Sequence, residues 1–126
     1  MANGTIAFDT LSTSGQISGT AVSVDADYLA YGSAKAWAAL NGSTFGLKDS
    51  FNITSATDNG TGDYTFTIAN DMANANASLT ANSGAVTTRS IADCAAGTYE
   101  LDLFAADGST RGDSARAFTA LHGDLA

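Results

Sequence analysis

The sequence predicts an all-β protein, an antiparallel β-sandwich or barrel-like domain with an extended N-terminal arm. Short runs in which apolar and polar residues alternate recur along the chain, which is the pattern of half-buried strands. Clusters of Gly, Asn, Asp and Ser separate these runs about every 8 to 12 residues, as in sandwiches and barrels. The 126 residues include no Pro, so no strand is interrupted by that route. A chain of this length forms one domain with its own core.

The first 20 residues differ in composition from the rest of the chain. They are rich in Ser, Thr and Gly, and their few large apolar residues are Ile6, Phe8, Leu11 and Ile17. Ordering such a segment costs about 1–2 kcal/mol of backbone entropy per residue, and a lone domain regains little of it. We therefore predict that residues 1–20 form an assembly arm that packs on a neighbouring subunit, and that residues 21–126 form the β-rich domain.

The first predicted strands are short. They lie at residues 5–8, 22–24 and 28–31. Residues 35–40 alternate only in part, and their Ala content would also allow a helical turn. A strand is favoured because residues 41–43 are Asn-Gly-Ser, which form a turn, and residues 45–47 can return beside them.

The clearest element is an antiparallel hairpin in the middle of the chain. Its two runs, residues 50–55 and 63–68, flank a segment of Asp, Asn, Gly and Thr whose residues tolerate turn conformations. The alternation predicts a buried hairpin core of Phe51, Ile53, Tyr64, Phe66 and Ile68.

The C-terminal third predicts weaker strands and one clear strand. Candidates surround Leu79 and residues 86–91, and Tyr99, Leu101 and Leu103 alternate cleanly. Residues 107–109 then turn the chain, and residues 115–121 are predicted to pair back as a final strand.

Composition excludes several function classes. Charged residues make up 14% of the chain, against about 25% in typical soluble domains, so the surface is mainly hydroxyl and amide. With a net charge of −8 and five basic residues, we expect no nucleic-acid binding. No apolar run approaches the roughly 20 residues of a membrane helix, so we expect no membrane insertion. The N-terminus does not resemble a secretory signal. We therefore expect a protein that is made in a cytoplasm but has the hydroxyl- and amide-rich surface of extracellular proteins. A virion protein fits both expectations.

Candidate chemistry is sparse. Cys94 and His122 are the single Cys and His, and we predict no catalytic residue, no cofactor and no metal. Residues 58–63 offer clustered oxygen atoms for Ca²⁺ but lack the spacing of an EF-hand, so a hairpin turn is favoured. Residues 111–113 read Arg-Gly-Asp, the integrin-recognition tripeptide, in a segment whose residues favour a plain loop. Tyr28, Tyr31 and Trp37 are candidates for surface contact with a glycan, although core packing is the default for a lone Trp.

Two segments, residues 33–40 and 49–76, carry a resemblance to a known family. They contain Lys-Ala-Trp at residues 35–37, Asp-Ser-Phe-Asn at 49–52 and Thr-Asp-Asn-Gly-Thr-Gly-Asp-Tyr at 57–64. This pattern resembles one that is common in tail-fibre and other virion proteins of bacteriophages. The family stretch that follows contains a Pro and an aromatic residue, both of which are missing from residues 70–77 here.

The resemblance implies a virion structural protein of a tailed bacteriophage. It would be a homotrimeric fibre or spike component, in a tail or head fibre, on the particle exterior, with a role in host attachment. The implied partners are further copies of the chain, other virion proteins and a host surface glycan. A capsid decoration protein and a carbohydrate-binding module stay open as alternatives, and a small hydrolase is the least favoured one.

Overall fold

The computed structural model describes residues 15–18, 21–84, 87–89 and 94–126. For residues 87–89 it describes the backbone alone. The predicted strand at residues 5–8 and the arm residues Ile6, Phe8 and Leu11 lie outside the described residues.

The described residues form one short helix and a series of strands. The strands are β1 (Gln16–Ser18), β2 (Ser23–Asp25), β3 (Ala36–Asn41), β4 (Gly46–Phe51), β5 (Ile53–Gly60), β6 (Asp63–Ile68), β7 (Ser78–Ser83), β8 (Thr87–Arg89), β9 (Thr98–Phe104) and β10 (Ala117–His122). The helix, α1 (Ala26–Gly32), follows β2 directly. The prediction of a mostly β protein with antiparallel sheets is confirmed.

Two antiparallel four-stranded sheets enclose a common core. The first sheet has the order β4-β3-β10-β7 and the second has the order β5-β6-β9-β8. Buried apolar side chains from both sheets form one cluster, so the two sheets pack as a sandwich. Strands β1 and β2 pair only with each other, and the sandwich itself therefore begins with β3.

The core combines large side chains from the second sheet with smaller ones from the first. Strands β6 and β9 bury Tyr64, Phe66, Ile68, Tyr99, Leu101 and Leu103, whereas β3 and β10 bury mainly Ala and Leu. The Phe66 and Tyr99 rings stack with centroids 4.8 Å apart. The Tyr99 hydroxyl lies 2.8 Å from the Thr119 hydroxyl, which satisfies both polar groups between the sheets. Burial raises the pKa of Tyr99 to about 12.

A bend at Asn52 carries the chain from the first sheet to the second. Asn52 has a left-handed φ of 57°. Its Nδ2 donates hydrogen bonds to the Lys35 and Asn70 carbonyl oxygens, at 3.0 and 3.1 Å. Its Oδ1 accepts a bond of 2.8 Å from the Asn70 backbone N–H. Strands β4 and β5 thus belong to different sheets, although one residue separates them.

This bend overturns one predicted core residue. Phe51 ends β4 and is 55% exposed, so the prediction that it belongs to the hairpin core is wrong. Alternation within one strand would have placed Phe51 and Ile53 on one face, but the bend places them in different sheets. Ile53 is partly buried and packs against the core. The hairpin consists of β5 and β6, with Ile53 opposite Ile68.

Residues 28–31 form part of a helix, and the prediction of a strand there is wrong. Two Ala residues and Leu29 favour helix, and Asp27 lies in the first turn, where its charge complements the helix dipole. Asp25 occupies the N-cap position with extended backbone. Asp25 and Asp27 therefore lie in different elements, Asp25 in β2 and Asp27 in α1.

The last strand joins a different sheet from the strand before it. We expected residues 115–121 to pair back, but β10 crosses over and inserts between β3 and β7 in the first sheet. The crossover loop, residues 105–116 between β9 and β10, is fixed by backbone hydrogen bonds. Ala105 N–H donates to the Thr110 carbonyl at 2.7 Å, and Gly42 N–H donates to the Ser114 carbonyl at 2.8 Å.

Candidate interaction surface

Three aromatic side chains lie on the outer face of the first sheet, beside polar residues that include Asp49, Thr80 and Asn82. Trp37 lies opposite Phe51 on one side and opposite Ala120 on the other, and Ala39 lies opposite Phe118. Directly paired residues of antiparallel strands point to the same side of the sheet. Trp37, Phe51 and Phe118 are 37%, 55% and 49% exposed. We call this set of five residues the aromatic face.

The outer face of the second sheet is polar by comparison. On β6 the residues that alternate with the core are Asp63, Thr65 and Thr67, and on β9 they include Thr98 and Glu100. Outward positions of a sandwich that meets water on both sides are normally polar, as they are here. The aromatic face departs from that rule, and exposed aromatic clusters of this kind mark contact surfaces.

The N-terminal segment, which we define as residues 15–33, places its side chains outside the core. None of its described residues is buried. In α1, Tyr28 is 73% exposed and Tyr31 is 59% exposed, and Leu29 is exposed as well. An isolated helix of seven residues is far too short to be stable in water, so packing must supply its stability.

Lys35 fixes the end of α1 to the sandwich. Its ammonium donates to the Ala30 carbonyl, and at 3.1 and 2.8 Å to the carbonyl and hydroxyl of Ser33. Its backbone N–H donates to the Leu121 carbonyl at 2.7 Å. A cation is favourable at the C-terminal end of a helix, where carbonyl groups lack partners. Lys35 is only 8% exposed, so this cap is a buried one.

A cavity of about 430 Å³ lies at this junction. It is lined in part by Ala30 of α1, by Lys35, by Phe51 and by Leu125. Because Phe51 also belongs to the aromatic face, the cavity and the aromatic face are continuous. The lining also includes Asp124, Asn52 and Asn70, so the junction is a concave edge of mixed apolar and polar character.

The three aromatic residues predicted to contact a glycan are all exposed, but they lie on two surfaces. Tyr28 and Tyr31 line a shallow cavity of about 360 Å³ on α1 together with Asp27 and Gly32. Trp37 lies on the aromatic face instead. Sequence reasoning missed Phe51 and Phe118 as surface residues. The sequence carried no signal for Phe118, because the sheet register decides which face of β10 is buried.

The Arg-Gly-Asp tripeptide is engaged within the domain. Arg111 forms an ion pair with Asp63, and its Nη2 lies 2.9 Å from Asp102 Oδ1. Burial raises the pKa of Asp102, while the Arg111 charge lowers it. Asp113 Oδ1 accepts 2.7 Å hydrogen bonds from the Gly62 N–H and the Tyr64 hydroxyl. The tripeptide therefore ties the crossover loop to the central hairpin, which does not suit recognition by another protein.

The turn between β5 and β6 uses its oxygen atoms internally. Asn59 Nδ2 donates to Asp63 Oδ1 at 3.1 Å and to the Thr65 hydroxyl at 2.8 Å. Asp58 Oδ1 accepts from the Gly60 N–H at 3.0 Å. Gly62 adopts a φ of 66°, and a Cβ there would lie 2.5 Å from the Leu103 carbonyl. These contacts are those of a tight hairpin turn.

Potential ligand and catalytic groups are dispersed over the molecule. Across the described residues, no three His, Cys, Asp or Glu side chains are grouped so that they could hold a metal ion. Cys94 pairs with Tyr99 beside the second sheet, whereas His122 ends β10 in the first sheet. No described helix is long and apolar enough to cross a membrane.

Comparisons with known proteins found no similar protein. A scan against protein-family models found no match, and searches of the curated proteins and of the solved structures found none either. What this surface can do therefore has to follow from its own residues.

Proposed function

We propose that the chain is a virion structural protein of a tailed bacteriophage, a homotrimeric fibre or spike component on the particle exterior with a role in host attachment. The observation that carries the proposal is the N-terminal segment. It stands outside the sandwich, none of its described residues is buried, and it exposes apolar side chains. The resemblance of the Lys-Ala-Trp segment and of residues 49–64 to phage fibre proteins supplies the biological setting.

Assembly gives the exposed side chains a free-energy gain that a lone chain lacks. Each square ångström of apolar surface removed from water contributes about 25 cal/mol. Cyclic symmetry repeats the same contact at each subunit without new sequence. The low content of charged residues, 14%, also lets faces of identical chains meet with little repulsion.

The resembling segment corresponds to the scaffold of the sandwich. Residues 35–37 lead into β3, which begins at Ala36, and residues 49–64 run from β4 through β5 into β6, so the segment contributes to both sheets. In this proposal the sandwich is a stable carrier. Exposed loops of the domain contact the host or a neighbouring virion protein.

The trimer is tested by light scattering after size-exclusion chromatography at micromolar concentration. We expect a mass three times that of the 12.7 kDa chain. Deletion of residues 1–17 should weaken the assembly, while circular dichroism shows the β-rich domain unchanged. A full-length chain that runs as a monomer would contradict the homotrimer and favour the decoration-protein alternative.

The position on the particle is tested by immunogold labelling of purified virions. Label on a tail or head fibre would support the proposal. Label spread over the capsid surface would favour a decoration protein, and virions without label would contradict a structural role. The carbohydrate-binding alternative draws on the exposed Trp37, and glycan binding by a monomeric chain that is lost in Trp37→Ala would favour it.

A further inference from the structure

We propose that Asn59 is a site of spontaneous covalent modification, at which the turn between β5 and β6 converts the side-chain amide into a carboxylate through a cyclic imide with Gly60. The reaction needs only water as a co-reactant. The inference goes beyond the proposed function and does not depend on it, because the reacting groups all belong to one chain.

Asn is followed directly by Gly at three places in the sequence, Asn3, Asn41 and Asn59. Asn is a thermolabile residue, and Gly lacks the Cβ that would shield its backbone nitrogen from the preceding side chain. Asn3 lies outside the described residues. The other two pairs can be compared in the structure, and their surroundings differ.

The Asn59–Gly60 pair lies at the surface of the hairpin turn. Both residues are exposed, and a Cβ added at Gly60 would meet nothing within 4 Å. The pairing of β5 with β6 shifts register between Asp58 and Gly60, so Asn59 is a bulged residue without a partner opposite it on β6. The sheet therefore constrains the Asn59 backbone less than that of its neighbours, and water reaches the pair.

Polar groups contact both nitrogen atoms that take part in the reaction. The Gly60 N–H, whose nitrogen is the nucleophile, donates a 3.0 Å hydrogen bond to Asp58 Oδ1. A carboxylate in that position can act as a general base. The Asn59 amide nitrogen, which is the leaving group, donates to Asp63 Oδ1 at 3.1 Å and to the Thr65 hydroxyl at 2.8 Å. A proton acceptor thus lies at the nucleophile, and two hydrogen bonds hold the leaving group.

The reaction balances with water alone. The Gly60 nitrogen forms a bond to Asn59 Cγ and gives its proton to Asp58. The Cγ–Nδ2 bond breaks as the amide nitrogen takes that proton and leaves as ammonia. Water then opens the imide ring, at Cγ to give an aspartyl residue or at the backbone carbonyl to give an isoaspartyl residue. Either product carries one more negative charge than Asn59.

The Asn41–Gly42 pair is closed to the same chemistry. Gly42 is buried, and a Cβ there would collide with the Tyr64 hydroxyl. Its N–H donates a 2.8 Å hydrogen bond to the Ser114 carbonyl, which cannot take the proton as a carboxylate can. The nucleophile of this pair is therefore held in a packed environment without a base at its hydrogen.

Conversion of Asn59 changes the charge of an exposed turn and leaves the buried core untouched. The new carboxylate cannot donate to Asp63 or to Thr65, and it lies close to the carboxylates of Asp58 and Asp63, so like charges repel. Asp63 is also an ion-pair partner of Arg111, which belongs to the crossover loop. We therefore expect the modification to weaken the contact between the turn and the crossover loop.

Tryptic peptide mapping by mass spectrometry, after incubation of the folded full-length chain in mildly alkaline buffer, measures both pairs in one sample. Cleavage after Lys35, Lys48 and Arg89 places Asn41 and Asn59 in different peptides, and fragmentation assigns the position within each. We expect Asn59 to convert about tenfold faster than Asn41 or more, with uptake of one oxygen from labelled water. In guanidinium chloride, where the fold is absent, the two rates should become similar.

A substitution of the general base provides the matched variant. Asp58→Asn keeps an acceptor oxygen near the Gly60 N–H but removes its basicity, so it should slow conversion of Asn59 by roughly tenfold and leave Asn41 unchanged. Circular dichroism checks that the variant folds. An Asn59 that converts no faster than Asn41 in the folded wild-type chain would overturn the proposal, as would an Asn59 rate that Asp58→Asn does not change. A difference between the two sites that persists in guanidinium chloride would assign it to the sequence alone and overturn the role of the turn.

Discussion

Asp107 shows how one exposed carboxylate organises the crossover loop. Its Oδ2 accepts a 2.6 Å hydrogen bond from the Thr110 hydroxyl. Its Oδ1 accepts 2.9 Å bonds from the backbone N–H groups of Thr110 and Ser109. These bonds, the Thr110 hydroxyl first among them, lower the pKa of Asp107 to about 2. The side chain of this turn residue thus holds the backbone of the next residues in the turn conformation.

The low pKa of Asp107 predicts a pH dependence with a definite sign. The folded pKa lies below the unfolded value of about 3.9, so the stabilisation is present above pH 4. It is lost as the pH falls from about 4 towards 2. A carbon-detected NMR titration of the side-chain carboxyl should give a midpoint near 2 in the wild-type protein.

Substitutions at the two donors separate their effects on this carboxyl. Thr110→Ala should raise the Asp107 pKa clearly, because the Thr110 hydroxyl is the main cause of the shift. Ser109→Ala should raise it less, since that hydroxyl contributes least. A wild-type midpoint close to the unfolded value would show that the loop does not hold these bonds in solution.

The bend at Asn52 is the feature that joins the two sheets at the level of elements. A left-handed residue other than Gly is costly, and Asn is among the residues that accept this conformation best. Here the side chain also bonds the Lys35 and Asn70 carbonyls and the Asn70 N–H. One residue therefore fixes the start of β3, the end of β4 and the segment after β6 together.

Substitutions of Asn52 should separate backbone strain from hydrogen bonding. Asn52→Ala loses the side-chain bonds and adds left-handed strain, so it should lower the free energy of unfolding by about 2–4 kcal/mol. Asn52→Gly loses the same bonds without the strain and should cost about 1 kcal/mol less. Urea denaturation of both variants provides the comparison. Equal losses in the two would show that the left-handed backbone is not a source of strain.

The elements that could be predicted from the sequence are those whose neighbours are local. The alternation from Tyr64 to Ile68 predicts a strand with one buried side, because its hairpin partner β5 is adjacent in sequence. The outward position of Phe51 depends on a bend that alternation cannot reveal. The placement of β10 between β3 and β7 depends on partners far along the chain. Helix α1 has only seven residues, and none of them is buried. Its short apolar pattern therefore did not distinguish a helix from a strand.

The candidate surface was predictable only in part, for a related reason. From the sequence, Tyr28, Tyr31 and Trp37 could have been either surface-contact residues or core residues. Phe51 and Phe118 complete the aromatic face, and they reach it through the sheet register, which pairs β3 with both β4 and β10. No local pattern contains that register, because β10 comes from a distant part of the chain and the pairing of β3 with β4 shifts register between Ala39 and Leu40.

At the scale of the whole molecule, the described residues form a sandwich and an N-terminal segment that has no described residue in the core. Every buried apolar residue of the described chain lies between Ala36 and Leu121. The ties from the segment to the sandwich that the structure shows most clearly run through Lys35, at the boundary. The buried core of the described residues and the exposed N-terminal segment are therefore separate along the chain.

This division predicts that a chain beginning at Ala34 still folds. Removing residues 1–33 takes away none of the residues that are buried in the described part of the chain, so the free energy of unfolding should fall by about 1 kcal/mol or less. The ammonium of Lys35 loses the α1 carbonyls, but the same deletion opens it to water, which replaces those bonds. Urea denaturation, followed by Trp37 fluorescence and by circular dichroism, should give coincident single transitions in the truncated chain. Truncated protein that is unfolded at low denaturant would show that the N-terminal segment belongs to the folding unit, and that the exposed aromatic residues of α1 stabilise their own sandwich instead of a neighbour's.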